Sequence, residues 1–143
     1  MCGEYIEKYI SQDLSHYNGQ EISYNFKITD IANNTDESRL VKVFVDTISP
    51  KILNPNTFWS KNTKNSKYVN FNISITELNL ESVQYIDSFD GSKARWNNLC
   101  TRLNKNNECI AKKFFKTGIH NLTVQVLDKA GNTAQKQISF TIL

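Results

Sequence analysis

The feature of this sequence that most constrains its fold is a strand pattern that occurs twice, at an offset of 98 residues. Residues 24–34 align without a gap on residues 122–132, and both copies end in Asp-x-Ala-[Asn/Gly]-Asn. Before the turn, apolar and polar residues alternate in each copy. Because successive side chains of a strand point to opposite faces, this alternation predicts a strand with one buried face. A second alternating stretch follows each turn, so the sequence predicts the same β-hairpin twice.

The residues of the two turns have backbone and hydrogen-bonding preferences that suit a turn. Asn and Gly tolerate a positive φ angle, and an Asp carboxylate can accept backbone N–H groups across the loop that it opens. We therefore predict a structural role in the turns for Asp30, Asn34, Asp128, Gly131 and Asn132. Calcium binding is the alternative role for the acidic residues Asp30, Asp46 and Asp128. Since calcium takes six to eight oxygen ligands and few acids lie nearby, turn capping is favoured and no metal is predicted.

Alternation also predicts the class of the whole chain. It covers residues 69–76, and it runs from Ile22 to Thr29, where the even-numbered residues are expected to face inward. No long segment keeps a helical period, so the chain is predicted to be all-β. A repeat of this length matches an immunoglobulin-like antiparallel β-sandwich of about 100 residues. Residues 49–143 are expected to form one such module, and residues 1–48, with only about three strands, a C-terminal remnant of a preceding copy.

Composition and motifs exclude several functions. In 143 residues, 39% are hydrophobic and 22% charged, as in folded soluble domains. The net charge is only +3 with scattered lysines, so nucleic acid is not an expected partner. No stretch in this fragment reaches the length of a membrane span. No nucleophile–base motif is present, so we expect neither an enzyme nor a cofactor.

The cysteines predict one disulfide bond. Cys100 and Cys109 flank a mainly polar stretch that is typical of a hairpin tip, and closing that loop would require an oxidising compartment. The alternative is two buried thiols. Zinc is disfavoured because the spacing is wrong and the chain has only two histidines, His16 and His120. The partner of Cys2 is expected to lie upstream of Met1.

Two segments resemble a known family. The phrase at 118–132 is similar to the closing hairpin of prokaryotic immunoglobulin-like repeats of surface and adhesin-type proteins, and the seam Val45–Pro50 resembles their junctions. Asn33 departs from the pattern, which has Gly there, and so does the asparagine-rich loop between the cysteines. The resemblance implies an extracellular or cell-surface spacer or adhesive module without catalysis. Its partners would be neighbouring modules of the same parent chain and a surface protein or polysaccharide.

Further residues are candidates for specific roles. His120 shares the inward parity of Leu122, and a corner residue that bonds the backbone is favoured over a catalytic base because no nucleophile accompanies it. Trp59 and Trp96 could form a sugar-binding platform, although filling of the core is the favoured role. Asn72, in one of three Asn-x-[Ser/Thr] motifs, lies on the polar face of its strand as a candidate glycosylation site. If Trp59 and Trp96 bind sugars, the alternative function is an accessory glycan-binding domain attached to a secreted hydrolase.

Overall fold

The computed structural model describes residues 11–54 and 58–143, and it confirms an all-β, antiparallel, sandwich-like fold. The chain divides into two compact units between Thr47 and Ile48. Cys2 lies outside the described residues. In the described part of the chain, no helix is long and apolar enough to cross a membrane. The assignment of residues 1–48 as a partial copy stays a prediction.

No described strand of the first unit exceeds four residues, whereas the second unit includes five strands of seven residues or more. In the first unit they are β1 (Glu21–Tyr24), β2 (Lys27–Thr29), β3 (Thr35–Glu37) and β4 (Val41–Phe44). In the second they are β5 (Lys51–Ile52), β6 (Trp59–Lys61), β7 (Tyr68–Thr76), β8 (Leu80–Asp87), β9 (Asn97–Cys100), β10 (Glu108–Phe114), β11 (Gly118–Asp128) and β12 (Thr133–Ile142). Two 3-10 segments, Ser15–Tyr17 and Ser88–Lys93, complete the described elements.

The second unit is built from two antiparallel sheets. One has the strand order β12-β11-β8-β9. In the other, β7 pairs with β10 along its length, and with β6 and β5 at successive positions. The alternating residues of β7 and β11 that were expected inward are fully buried and form the centre of the core: Val69, Phe71, Ile73, Ile75, Leu122, Val124 and Val126. Their burial follows from the period-two pattern, because one face of each sheet is apolar.

The first unit contains four described strands, where the sequence predicted about three. Its hairpin is split into two ladders, β1–β4 and β2–β3. In the β2–β3 ladder Thr29 pairs with Thr35, which is the equivalent of Leu127 with Thr133 in the second unit. In the β1–β4 ladder, however, Tyr24 pairs with Val41, one residue later than the offset of the repeat gives. One extra residue before β4 therefore interrupts the ladder, as a β-bulge does.

The prediction that the even-numbered residues of this first hairpin face inward is wrong. Tyr24, Phe26 and Ile28 are all exposed, Ile28 by 68%, whereas their equivalents in the second unit are buried. The described sheets of the first unit are only these two-stranded ladders. A strand face becomes buried only where a second layer packs on it, so alternation alone does not decide burial.

The disulfide Cys100–Cys109 is confirmed, with an S–S distance of 2.01 Å. Its position differs from the predicted hairpin tip. Cys100 ends β9, at the edge of one sheet, and Cys109 lies in β10, at the edge of the other. The loop therefore carries the chain from one sheet to the other, and the disulfide joins the two layers of the sandwich. The spacing of the cysteines could not distinguish this crossing from a hairpin, since both bring the ends of a loop together.

Candidate functional site

The turn after β11 is organised by the carboxylate of Asp128. Its Oδ1 accepts hydrogen bonds from the backbone N–H of Ala130 at 2.9 Å and of Asn132 at 2.8 Å. Its Oδ2 accepts from Asn132 Nδ2 at 2.8 Å. Gly131 adopts a φ of 92°, which favours glycine. Asp128 is only 1% exposed, and these three donors replace the water that a buried carboxylate would otherwise need.

The turn between β2 and β3 repeats this arrangement. Asp30 Oδ1 accepts from the N–H of Ala32 at 2.8 Å and of Asn34 at 2.9 Å, and Oδ2 accepts from Asn34 Nδ2 at 2.8 Å. Asn33 takes the positive φ, at 65°. The side-chain amide of Asn34, and then its backbone N–H, hold the pKa of Asp30 below its ordinary value of 3.8. All five residues proposed for the turns thus lie in these two turns, and both carboxylates are engaged within them.

A third turn of the same kind was missed at the sequence level. It lies in the loop between the cysteines, where Asn104 Oδ1 accepts from the N–H of Asn106 at 2.8 Å and of Glu108 at 3.0 Å. Asn107 adopts the positive φ, at 59°. In this turn the acidic residue is the last one, Glu108, and its Oε2 accepts a hydrogen bond from Asn104 Nδ2 at 2.9 Å. The signal that could have found it is an Asx residue three positions before an Asn that tolerates a positive φ.

His120 lies at a buried corner, as its parity predicted, and it is 2% exposed. Its Nδ1 is 2.6 Å from Oδ2 of Asp87, which ends β8, and its Nε2 is 2.8 Å from the backbone oxygen of Lys116. The other carboxylate oxygen of Asp87 accepts the N–H of Phe89 at 3.0 Å. The histidine and the aspartate therefore tie together three segments: the end of β8, the turn before β11, and β11 itself.

The hydrogen bonds of His120 determine what its ring can do. A carbonyl oxygen only accepts, so Nε2 must donate to Lys116 O, and Nδ1 shares the remaining proton with Asp87. A general base needs a nitrogen that can reach a substrate proton. In this arrangement both nitrogens are engaged with protein groups and the ring is buried, which favours a structural role. No signal in the sequence pointed to Asp87 as the partner.

Aromatic rings close this corner. The rings of Phe89, Phe115 and Phe140 lie 4.6, 5.1 and 5.4 Å from the His120 ring, centroid to centroid. Phe89 comes so close to Gly118 that a Cβ added there would lie 2.6 Å from its Cε2 atom. Gly118 is therefore needed both for its φ of 144° and for the space that the Phe89 ring fills.

The two tryptophans proposed for glycan contact and the glycosylation candidate Asn72 have different surroundings. Trp59 belongs to the sheet of β7, and its ring packs against Phe140 of the other sheet with centroids 5.0 Å apart. Trp96 precedes β9 and is 42% exposed. Trp59 is therefore half-buried against the core, while Trp96 faces solvent. Asn72, in the middle of β7, is exposed on the outer face of its sheet, where a glycan would have room.

The described geometry defines the class: an all-β sandwich-like protein whose polar side chains are organised in turns and in one buried corner. No family model matches the chain. A search of curated proteins also found no match.

Proposed function

We propose that this chain is a non-catalytic, immunoglobulin-like repeat of a cell-surface or secreted protein, which acts as a spacer or an interaction module. The observation that carries the proposal is the turn that the two units share. Asp30 and Asp128 accept hydrogen bonds from the same three groups, in hairpins whose residues pair in the same register around the turn. A hairpin with this turn and this register around it, present once in each unit, is typical of proteins built from repeated modules.

The disulfide supports the extracellular part of this proposal. Cys109 is buried and bonded to Cys100 across the two sheets. Disulfides persist in oxidising compartments and are rare in the reducing cytosol. The ring of His120 is buried and both of its nitrogens are hydrogen-bonded to protein groups, which supports the proposal that the chain is non-catalytic.

Location can be tested in the source cells. Intact cells would be labelled with a membrane-impermeant biotin reagent, and free thiols would be blocked at lysis before gel analysis of the chain's parent protein. We expect biotinylation, or release into the medium, together with an oxidised Cys100–Cys109 pair. A cytosolic protein of the same cells serves as the unlabelled control. Labelling that appears only after permeabilisation would contradict the proposal.

A second candidate is the accessory glycan-binding domain, and the exposed ring of Trp96 favours it. Aromatic faces stack on the apolar faces of sugars. Affinity gels cast with envelope polysaccharides would compare the wild type with Trp96→Ala. Ile119→Ala is the matched control, because Ile119 is also an exposed apolar residue of the second unit. Retardation lost only in Trp96→Ala supports glycan binding, and unchanged mobility of the wild type contradicts it.

A further inference from the structure

One side of the first hairpin is apolar and open to solvent. In the β1–β4 ladder Ile22 lies opposite Val43, and Tyr24 lies opposite Val41. Residues directly opposite each other in an antiparallel pair share a face of the sheet. Tyr24, Val41 and Val43 are 43%, 41% and 38% exposed, and Ile22 is partly buried. These four side chains therefore form one apolar face.

Phe26 extends this apolar face beyond the β1–β4 ladder. Its ring meets that of Tyr24 edge-on, with centroids 5.6 Å apart, and it is 55% exposed. A groove of about 470 Å³ lies on the face, lined by Leu14, Ile22, Tyr24, Phe26 and Val43 together with the polar Gln12 and Asn25. None of these seven residues is charged, so the surface that complements the groove is apolar.

The opposite side of the β1–β4 ladder is hydrated. Successive residues of a strand point to opposite faces, so Glu21 and Lys42 lie away from the apolar face. They form an ion pair, with Lys42 Nζ 2.9 Å from Glu21 Oε1. Phe44 lies opposite Glu21 and shares this side. One charged face and one apolar face are typical of a sheet that packs on a second layer.

The second unit shows what covers the corresponding face. The pairs His120–Phe140 and Leu122–Ile138 of β11 and β12 correspond to the two pairs of β1 and β4. All four residues are buried. From the other sheet, Trp59 contacts Phe140 with ring centroids 5.0 Å apart. The inner residues that β7 contributes to that sheet are all apolar: Val69, Phe71, Ile73 and Ile75. An apolar β-sheet therefore covers this face in the second unit.

We propose that the apolar face of the first hairpin docks on a second β-sheet contributed by its parent chain. The inner side of that sheet presents alternate apolar residues, as β7 does, and the strand order of the second unit places it before the hairpin. A second copy of the chain fits less well, because a stable dimer buries about 800 Å² on each partner, more than five partly exposed side chains offer. This inference rests on the repeat function proposed above.

The test is hydroxyl-radical footprinting, read by mass spectrometry, of the 143-residue chain and of its parent protein. Tyr24 and Phe26 should be oxidised readily in the 143-residue chain. In the parent protein their oxidation should slow by at least about fivefold, because the equivalent Leu122 and Val124 are 1% and 0% exposed. Phe44 is the matched control and should react alike in both proteins. Equal oxidation of Tyr24 and Phe26 in the two proteins would overturn the proposal.

Footprinting of the 143-residue chain at increasing concentration tests a second copy as the occupant. We expect a monomer in sedimentation and an oxidation rate of Tyr24 that does not depend on concentration. Protection of Tyr24 that grows with concentration, together with a dimer, would assign the face to self-association and overturn the proposal. Equal protection of Tyr24 and Phe44 in the parent protein would also overturn it, since the covering would then not select the apolar side.

Two variants measure what the covering contributes to stability. Phe26→Ser in the parent protein should make protease cleavage within residues 21–44 at least about tenfold faster, because it removes a buried ring. Phe44→Ser should leave that rate within about twofold of the wild type, since its ring stays exposed. In the 143-residue chain, where the two rings are 55% and 54% exposed, both variants should be cleaved like the wild type. Equal rates for the two variants of the parent would contradict the proposal.

The outcome is distinguishable from that of the cell-surface test. A parent protein that is labelled on intact cells but leaves Tyr24 and Phe26 reactive would contradict this inference alone. A parent protein that is cytosolic yet protects the two rings would contradict the proposed location and leave the covered face established.

Discussion

The ring of Phe89 occupies the space that a side chain on Gly118 would require, with 2.6 Å between Phe89 Cε2 and the position of an added Cβ. Phe89 in turn covers His120, whose ring is 4.6 Å away between centroids. The glycine that starts β11 therefore determines how the buried corner of the second unit is closed.

Gly118→Ala is expected to displace Phe89 and to strain the backbone, because φ at this position is 144°. We expect a loss of about 1–3 kcal/mol in the free energy of unfolding, measured by urea denaturation, with changed NMR signals for Phe89 and His120. Gly131→Asn is the control. Asn33 holds the equivalent place in the first unit with a positive φ, and nothing lies within 4 Å of an added Cβ at Gly131. Equal losses in the two variants would contradict the steric explanation.

Replacing His120 should destabilise the second unit strongly. His120→Leu leaves the Asp87 carboxylate buried with only the N–H of Phe89 as a donor. Removing one partner of a buried pair costs about 3–5 kcal/mol. The combined change Asp87→Leu with His120→Leu should recover part of this loss, since no buried charge is left unpaired. Urea denaturation at neutral pH measures both variants, and a single variant as stable as the wild type would show that the pair is dispensable.

The turn after β11 should tolerate an exchange of its two polar residues better than a single change. Asp128→Asn sets two amide NH₂ groups against each other where Asn132 now donates to Asp128. We expect a cost of about 1–3 kcal/mol for the lost buried bond. Adding Asn132→Asp restores a donor and an acceptor, as in the natural turn where Asn104 donates to Glu108. Thermal unfolding of the two variants tests this, and a double variant less stable than Asp128→Asn would refute it.

Acid should loosen the turn of the first unit. The pKa of Asp30 is lowered in the folded state, chiefly by the amide of Asn34. A depressed pKa means that the stabilisation is fully present above the ordinary value of 3.8 and is lost as the pH falls through the folded value. An NMR titration should therefore move the amide protons of Ala32 and Asn34 below pH 3.8. In Asp30→Asn these shifts should be absent, and their persistence would assign the titration to another group.

The disulfide should contribute to stability without being required for the fold. Replacing Cys100 and Cys109 by Ser should cost about 2.5–3 kcal/mol in the chain-entropy account of a loop this short. The apolar core between the sheets lies largely outside the loop, so the far-UV circular dichroism spectrum should remain that of an all-β protein. Thermal unfolding with and without reductant measures the effect. Unfolding of the reduced chain at room temperature would contradict this expectation.

The features that the sequence predicts correctly are those with local determinants. The inward parity of β7 and β11 follows from alternation along each strand, and Asp30 and Asp128 organise the turns that their neighbours predicted. The role of a side chain that depends on its tertiary surroundings is not predicted by the sequence. The sequence did not distinguish the roles of Trp59 and Trp96, yet Trp59 packs on Phe140 and Trp96 is exposed.

The sequence by itself predicted the main alternating strands, the turns at Asp30 and Asp128, and the pairing of Cys100 with Cys109, because periodicity, backbone preference and short loops act within a few residues. Only the tertiary structure decided that this disulfide joins two sheets, that the first hairpin keeps Ile28 exposed, and that Asp87 meets His120 across 33 positions. Such contacts depend on which faces pack together. The packing of the faces is determined by how the sheets assemble, and the spacing of residues along the chain does not predict it.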